Sequence, residues 1–529
     1  MSYYQYVVKD VLRKNIYFFS LVVLLAGLPL SKALVSIGEG LLVFSWFVAP
    51  GFKERVKALG QRKSIWIFAG STLFVLAGLF YAENIQRNIF LITNIKISIV
   101  LFPIIIGSFE KLSWQQLKVL LWVYTLANIA ATFFSLLIFF HVIEYKIANV
   151  RQIAVFVESV RFALLIVLDI LFLLYAIYHS QNRKFQVLMI ISIVWLVVFL
   201  GILQSLTGIL ALALTLLVVL LVRYRKISVY IRVAFVVLGL LSIATGAYLF
   251  KSNLNEYRAI HIENTAKLDS LTLNGNKYEH SVNDTIRVNG YLRNIYICEP
   301  ELRIQWAKRS QVAFDSLDNA GWVPVKVTLV SYLTSKGLRK DSAGMSQLTD
   351  RDVRNIESGY YNYKLAEVGV NARIYDLIRE FDEWRRTGIP AGSVTIRING
   401  LKNGWKVFSE HIWFGTGYGD INDDIQAQFD KDSPDLGEDK KQNPHNQLLT
   451  IMIGSGIVGL VVFLLSFVLP GILERKYSSY LFLVSFCVVL FSFFTDDTLE
   501  RMIGCVIMAL FFSLFLYAVP KNDKVNKPH

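Results

Sequence analysis

Long apolar runs dictate what this chain can become. Nine fall between residues 15 and 250, at roughly 15–31, 33–50, 64–82, 91–108, 117–141, 160–179, 185–203, 207–222 and 230–250, and three more at about 445–470, 478–496 and 499–519. A run of about 18 or more apolar residues is long enough to cross a bilayer as a helix. The expectation is therefore an all-α polytopic membrane protein of about 12 transmembrane helices, interrupted once by a long polar stretch. That stretch divides the chain into a membrane part (1–250), an inserted domain (251–443) and a second membrane part (444–529).

Orientation follows from Lys and Arg, which short cytoplasmic loops retain. Lys9, Arg13 and Lys14 place the N-terminus inside, and so do Lys53, Arg55, Lys57, Arg62 and Lys63 for the next turn. Alternation then puts Arg183/Lys184, Arg223/Arg225/Lys226, Arg475/Lys476 and Lys521/Lys524/Lys527 on the same side. Both termini are expected in the cytoplasm and the insert outside. The net charge of +14 fits this topology rather than a nucleic-acid surface: residues 251–443 hold 26 Lys and Arg against 27 Asp and Glu, so the excess lies in the remaining segments. Of three cysteines, Cys487 and Cys505 fall in expected spans and Cys298 is alone in the insert, so neither a disulfide framework nor a metal-ligand spacing is expected. The first span lacks an obvious cleavage site and is expected to stay as an anchor.

Several polar residues stand at span ends. Lys96 lies in a span that Pro103 interrupts, and either snorkels to the interface or meets an anionic substrate. Arg161 heads a strongly apolar helix, where a guanidinium either snorkels to lipid phosphates or clamps a pyrophosphate. A tight turn, Leu203 to Gly208, joins two spans at the same outer level.

The first half of the insert alternates like strand at Asp284–Gly290 and Val323–Val330, and Tyr361–Arg386 has helical spacing, so an α+β domain is expected between helices 9 and 10. Phe414-Gly415-Thr416-Gly417-Tyr418-Gly419-Asp420 lacks the spacing of a dinucleotide fingerprint and reads as a tight turn back to the membrane. The acidic run Asp430–Asp439 has Pro434 and Asp435 where a calcium loop needs a ligand and a glycine. Asp496, Asp497 and Glu500 crowd the last short external turn, where capping of the next helix accounts for them.

The topology collects Arg161, the Ser205–Gly208 turn, Arg397, His445 and Asn446 at one level. An imidazole can accept a hydroxyl proton near neutral pH, and guanidinium groups can hold a phosphate leaving group. The residues leave His445 open between that role and a plain interfacial histidine at the start of a span.

His445-Asn446, nine residues, Gly456, two residues and Gly459 reproduce the H-[NSQ]-x9-G-x-x-[GTY] pattern of the bacterial O-antigen ligase family, related to the O-antigen polymerases. The chain also resembles that family at Val288–Tyr291, Ile297–Leu302, Tyr332–Asp341, the Arg397 segment, Phe414–Asp420 and Asp497–Glu500, nearly along its whole length. The resemblance implies a GT-C-like, metal-independent, inverting glycosyltransferase of the bacterial inner membrane with a periplasmic insert. Such enzymes move a glycan from undecaprenyl pyrophosphate to an acceptor hydroxyl, as in lipopolysaccharide biosynthesis, and need no cofactor. His445 would be the base; Arg397, Arg161 and Lys96 would bind pyrophosphate; Asn446 would fix the imidazole, with Asp420, Gly456 and Gly459 in support. The chain departs from the family at two places: Leu206 stands where many relatives have arginine in a Ser-Arg-x-Gly turn, and Ser331 where another arginine is expected.

A polymerase is the near alternative. A transporter or flippase is the distant one, but it calls for repeated halves and mid-membrane ionisable residues, which nine spans followed by three do not supply.

Overall fold

A computed structural model describes residues 3–140, 142–145, 150–223, 228–264, 267–319, 321, 323–367 and 369–519. Of the orientation markers, Arg225, Lys226, Lys521, Lys524 and Lys527 lie outside these residues, as do the side chains of Lys9, Arg13 and Lys14.

The chain is mainly helical, and its apolar helices make it a membrane protein. By length and composition five described helices can cross a bilayer: Ile85–Ser108, Trp114–Phe139, Ser159–His179, Arg183–Ile202 and Gln447–Leu473. Lys32–Val48 and Phe52–Gln61 form a sixth candidate bent by 103°, and shorter apolar helices run over Asn15–Leu30, Leu206–Val222, Tyr480–Thr495 and Met502–Ala518. The bend is coded locally: Pro50 and Gly51 end the first helix, and the second is amphipathic, with Arg55 folded back onto the Trp46 and Ala49 carbonyls.

Contacts group the chain into two units, Met1–Ser228 with Thr395–His529, and Val229–Val394. In the first, two helices are buried on nearly every face: Ser159–His179 and Met502–Ser513. A helix apolar all round belongs inside a bundle, and these two carry residues from Phe162 to Phe172 and from Ile503 to Phe512 into one core. Arg161 is the first charged residue at the start of one, and the Asp496–Arg501 turn leads into the other. Burial of the two helices therefore fixes two charged ends.

The second unit corrects the expected α+β character. Strand among the described residues is limited to a short antiparallel pair, Arg287–Val288 with Tyr291–Leu292, and isolated bridges. The Val323–Val330 stretch, which alternates like a strand, lies in helix Val325–Ser335 after Pro324. Val325, Leu329, Tyr332 and Leu333 are buried at helical spacing against Leu302, Trp306 and Ile356, so the core selected the 3.6-residue period over the two-residue one.

Candidate active site

His445 takes a left-handed backbone conformation, φ 47°, between Pro444 and the helix Gln447–Leu473. Asn446 caps that helix: its side chain accepts from the Leu449 amide at 2.9 Å and donates to the Phe494 carbonyl at 3.3 Å. The Gln447 amide donates to the Asp496 carbonyl at 3.2 Å. The start of one helix is thereby stitched to the end of Tyr480–Thr495, which brings the imidazole to the acidic turn. Asn446 works through the backbone here; the side chain that touches the imidazole is Gln442, with Oε1 3.2 Å from His445 Nε2.

The other ring nitrogen, Nδ1, faces Asp497 Oδ1 at 3.6 Å and Asp496 Oδ1 at 3.7 Å. These are ion-pair distances rather than hydrogen bonds. Arg161 meets the same two carboxylates: Nη2 lies 3.0 Å from Asp496 Oδ2 and 3.2 Å from Asp497 Oδ1, and donates to the Asp497 carbonyl at 3.1 Å. Arg397 Nη1 donates to the Thr495 carbonyl at 3.4 Å. Two sides of the acid pair are thus occupied by cations.

Burial opposes the charge on His445, as does the positive field of Arg397, but the two carboxylates outweigh both and push the imidazole up to about 9. Burial also pushes Asp497 up, yet His445 and Arg161 together hold it below the usual carboxylate range. At neutral pH the resting site therefore holds an imidazolium sandwiched against carboxylates. His445, Asp496 and Asp497 also offer three ligand atoms within 4.8 Å of one another. A divalent cation on the oxygens that face the imidazole would compete with the Arg161 guanidinium for Asp497 Oδ1, and Arg161 already supplies positive charge beside both carboxylates.

One layer further in, Lys96 is buried on a widened turn, Leu91–Lys96. It donates to the Leu499 carbonyl at 2.9 Å and to Glu500 Oε1 at 3.0 Å, and lies 4.8 Å over the Tyr418 ring. Glu500 also accepts from Gln447 Nε2 at 2.8 Å and from the Tyr418 hydroxyl at 3.2 Å, while Gln447 Oε1 accepts from the Leu499 amide at 2.7 Å. Lys96, expected either to snorkel or to meet an anionic substrate, is buried and paired with Glu500 here. It braces the acidic turn from beneath and reaches His445 only through Glu500 and Gln447.

The two motif glycines have separate jobs. Gly456, at φ 65°, breaks the Gln447–Leu473 helix, and a Cβ there would stand 2.1 Å from the Trp413 carbonyl oxygen. Into the break fits the segment 412–417. The Thr416 and Gly417 amides donate to the Ile453 and Gly454 carbonyls, while the Ile457 and Val458 amides donate to those of Ile412 and Trp413. Gly459 is buried one turn further on. The glycine-rich turn is thus lodged in the helix break, and Asp420 anchors its far end by accepting from the Glu83 and Asn84 amides at 2.8 and 2.7 Å.

Ser205 caps helix Leu206–Val222, and Gly208 sits where a Cβ would come 2.8 Å from Ala163 Cβ, two residues from Arg161. Leu206 is 40% exposed beside this contact. Ser331 is buried on its helix in the other unit.

The structure therefore gathers His445 with Arg161, Arg397 and Asn446, and keeps Lys96 a layer away. Sequence reasoning assigned Asp496, Asp497 and Glu500 to helix capping and passed over Gln442 and Gln447. The available signal was the cost of three acids in so short a turn between spans, which calls for cationic partners.

Residues 358–464 match the family model described as O-antigen ligase. The matched stretch contains Arg397, Asp420, His445, Asn446, Gly456 and Gly459, and supports an O-antigen ligase family assignment. No curated protein matches the chain. The family implies membrane glycan transfer of the ligase or polymerase type.

Proposed function

We propose, starting from the O-antigen ligase family match, that the chain transfers a glycan from undecaprenyl pyrophosphate to an acceptor hydroxyl on the periplasmic side of the bacterial inner membrane. The observation that carries this reading is the His445 imidazole held against Asp496 and Asp497, with Arg161 and Arg397 at the same turn. In the reaction His445, once deprotonated, takes the proton of the acceptor hydroxyl as its oxygen forms a bond to the donor's anomeric carbon. The bond from that carbon to the pyrophosphate oxygen breaks with its electron pair, and configuration inverts. Asp496 and Asp497 stabilise the imidazolium so formed, and Arg397 offsets charge on the leaving group.

Arg161 has its Nη2 committed to both acids. Its role is to position them against the imidazole. No metal or cofactor enters this scheme, because guanidinium groups meet the developing charge. The insert belongs to the periplasm and both termini to the cytoplasm in this reading.

The test is His445→Ala in a strain that makes the lipid-linked glycan. The variant is expected to insert and accumulate normally while undecaprenyl-linked glycan builds up and acceptor-linked product disappears. Normal transfer by that variant would remove His445 from the chemistry. Elongated lipid-linked chains in the wild type, in place of acceptor-linked product, would assign polymerase activity to the same site.

A further inference from the structure

Two cations near the site are committed to carboxylates, Arg161 to Asp496 and Asp497 and Lys96 to Glu500, while Arg397 meets only the neutral Thr495 carbonyl and does not line the cavity that the next two cations share. Two others are uncommitted. Arg87, on helix Ile85–Phe90, and Arg501, directly after Glu500, make no side-chain hydrogen bond or ion pair among the described residues. Both line one cavity of about 400 Å³ within the first unit.

That cavity has two chemically distinct walls. Phe90, Leu91 and Ile95 supply an apolar side, from a helix apolar enough to lie in a bilayer. Asn422, Asn443 and Thr450 supply hydrogen-bonding groups on the other, and Asn443 is held by a 2.8 Å bond to Asn422. Asp497 is common to this cavity and to the His445 cluster, so a ligand seated here lies against the acid that faces the imidazole. Asp497 and Glu500 also line it, but their charges are matched by Arg161 with His445 and by Lys96. The uncompensated charge is that of the two free guanidinium groups, about +2, which is complementary to a diphosphate diester.

We propose that this cavity is a seat for a prenyl pyrophosphate, with Arg87 and Arg501 as the two arms that grip the diphosphate and the Phe90–Ile95 face receiving the first isoprene units. The inference rests on the glycan-transfer reading for the identity of the lipid and adds two residues to its donor site.

Binding to the purified full-length chain in detergent tests this, with farnesyl pyrophosphate, farnesol and inorganic pyrophosphate as probes. Arg87→Gln and Arg501→Gln are each expected to weaken farnesyl pyrophosphate about 10-fold or more, as loss of a charge-assisted hydrogen bond should, and to leave farnesol unchanged. Wild-type affinity for farnesyl pyrophosphate in both variants would overturn the proposal, and inorganic pyrophosphate binding as tightly as the lipid would overturn its lipid part. Arg87→Lys and Arg501→Lys guard against misfolding, since each retains charge without the fork and is expected to bind between wild type and Gln. Lys variants no better than Gln, in chains that remain monodisperse, would count against the grip. The two readings fail separately. Arginine-dependent lipid binding without any glycan transfer leaves the seat standing and removes the transfer reading. His445-dependent transfer at wild-type rate in the double Gln variant removes the seat alone.

Discussion

The acid pair makes a prediction about pH that a plain basic histidine does not. With its pKa at about 9, His445 is neutral in only about one molecule in 100 at pH 7, since each pH unit changes the ratio tenfold. A proton acceptor must be neutral before it acts, so kcat/KM for glycan transfer is expected to rise with unit slope up to about pH 9. Asp497→Asn removes one of the two carboxylates near Nδ1 while keeping an oxygen for Arg161, which also retains the 3.0 Å contact to Asp496. At 3.6 Å a full charge contributes about 1 pKa unit or more even when well screened. The break in the profile should therefore move down by about 1 unit or more, and the neutral fraction at pH 7 should rise about 10-fold. The assay is the pH dependence of transfer from a lipid-pyrophosphate donor, measured for both proteins between about pH 6 and 9.5. The position of the break is the readout, because its height also depends on the lower basicity of the variant's imidazole. A wild-type break near the ordinary histidine value, or one that Asp497→Asn leaves in place, would refute the coupling.

Two other changes probe the scaffold around this pair. Leu206→Arg places a guanidinium in a turn packed against Ala163, with room because Leu206 is partly exposed. Transfer should be unchanged or raised, at most by the factor that a charged hydrogen bond of about 1.5–3 kcal/mol allows, and a strong loss would mean the turn has another use. Gly456→Ala forces a side chain into a left-handed position and against the Trp413 carbonyl. Backbone strain alone is about 1–3 kcal/mol, so thermal unfolding in detergent should shift down measurably and transfer should fall with it; an unchanged unfolding temperature would mean the helix break is not fixed by that glycine.

The membrane character was legible because apolar run length is a one-dimensional property. The helix break was not, although its glycine was: Gly456 belongs to the motif, but the sequence does not say that segment 412–417 fills the gap, because that pairing joins residues about 40 apart through backbone groups alone. His445 was legible through spacing. Its partners were less so, since Arg161, Asp496 and Asp497 come from three separate stretches and each has an adequate local explanation, snorkelling for the arginine and helix capping for the acids. The strand expectation at Val323–Val330 failed for a related reason. Its alternation and its helical period coexist in the same letters, and only the buried partners Trp306 and Ile356 decide between them.

The charge arrangement explains why so many ionisable groups can share one short turn. Asp496 and Asp497 would repel each other if left alone, and each is instead shared between Arg161 and His445; Glu500, three residues on, is shared between Lys96, Gln447 and Tyr418. The two layers are joined through Gln447, whose backbone amide holds Asp496 and whose side chain holds Glu500 and the Leu499 amide. Because Gln447 opens the same helix that His445 precedes, the backbone that carries the imidazole is tied to both layers. Rigidity of this kind keeps the ring against the acids when its proton is lost and their attraction weakens. In the proposed transfer the neutral imidazole would then be presented by a fixed helix start rather than by a loop.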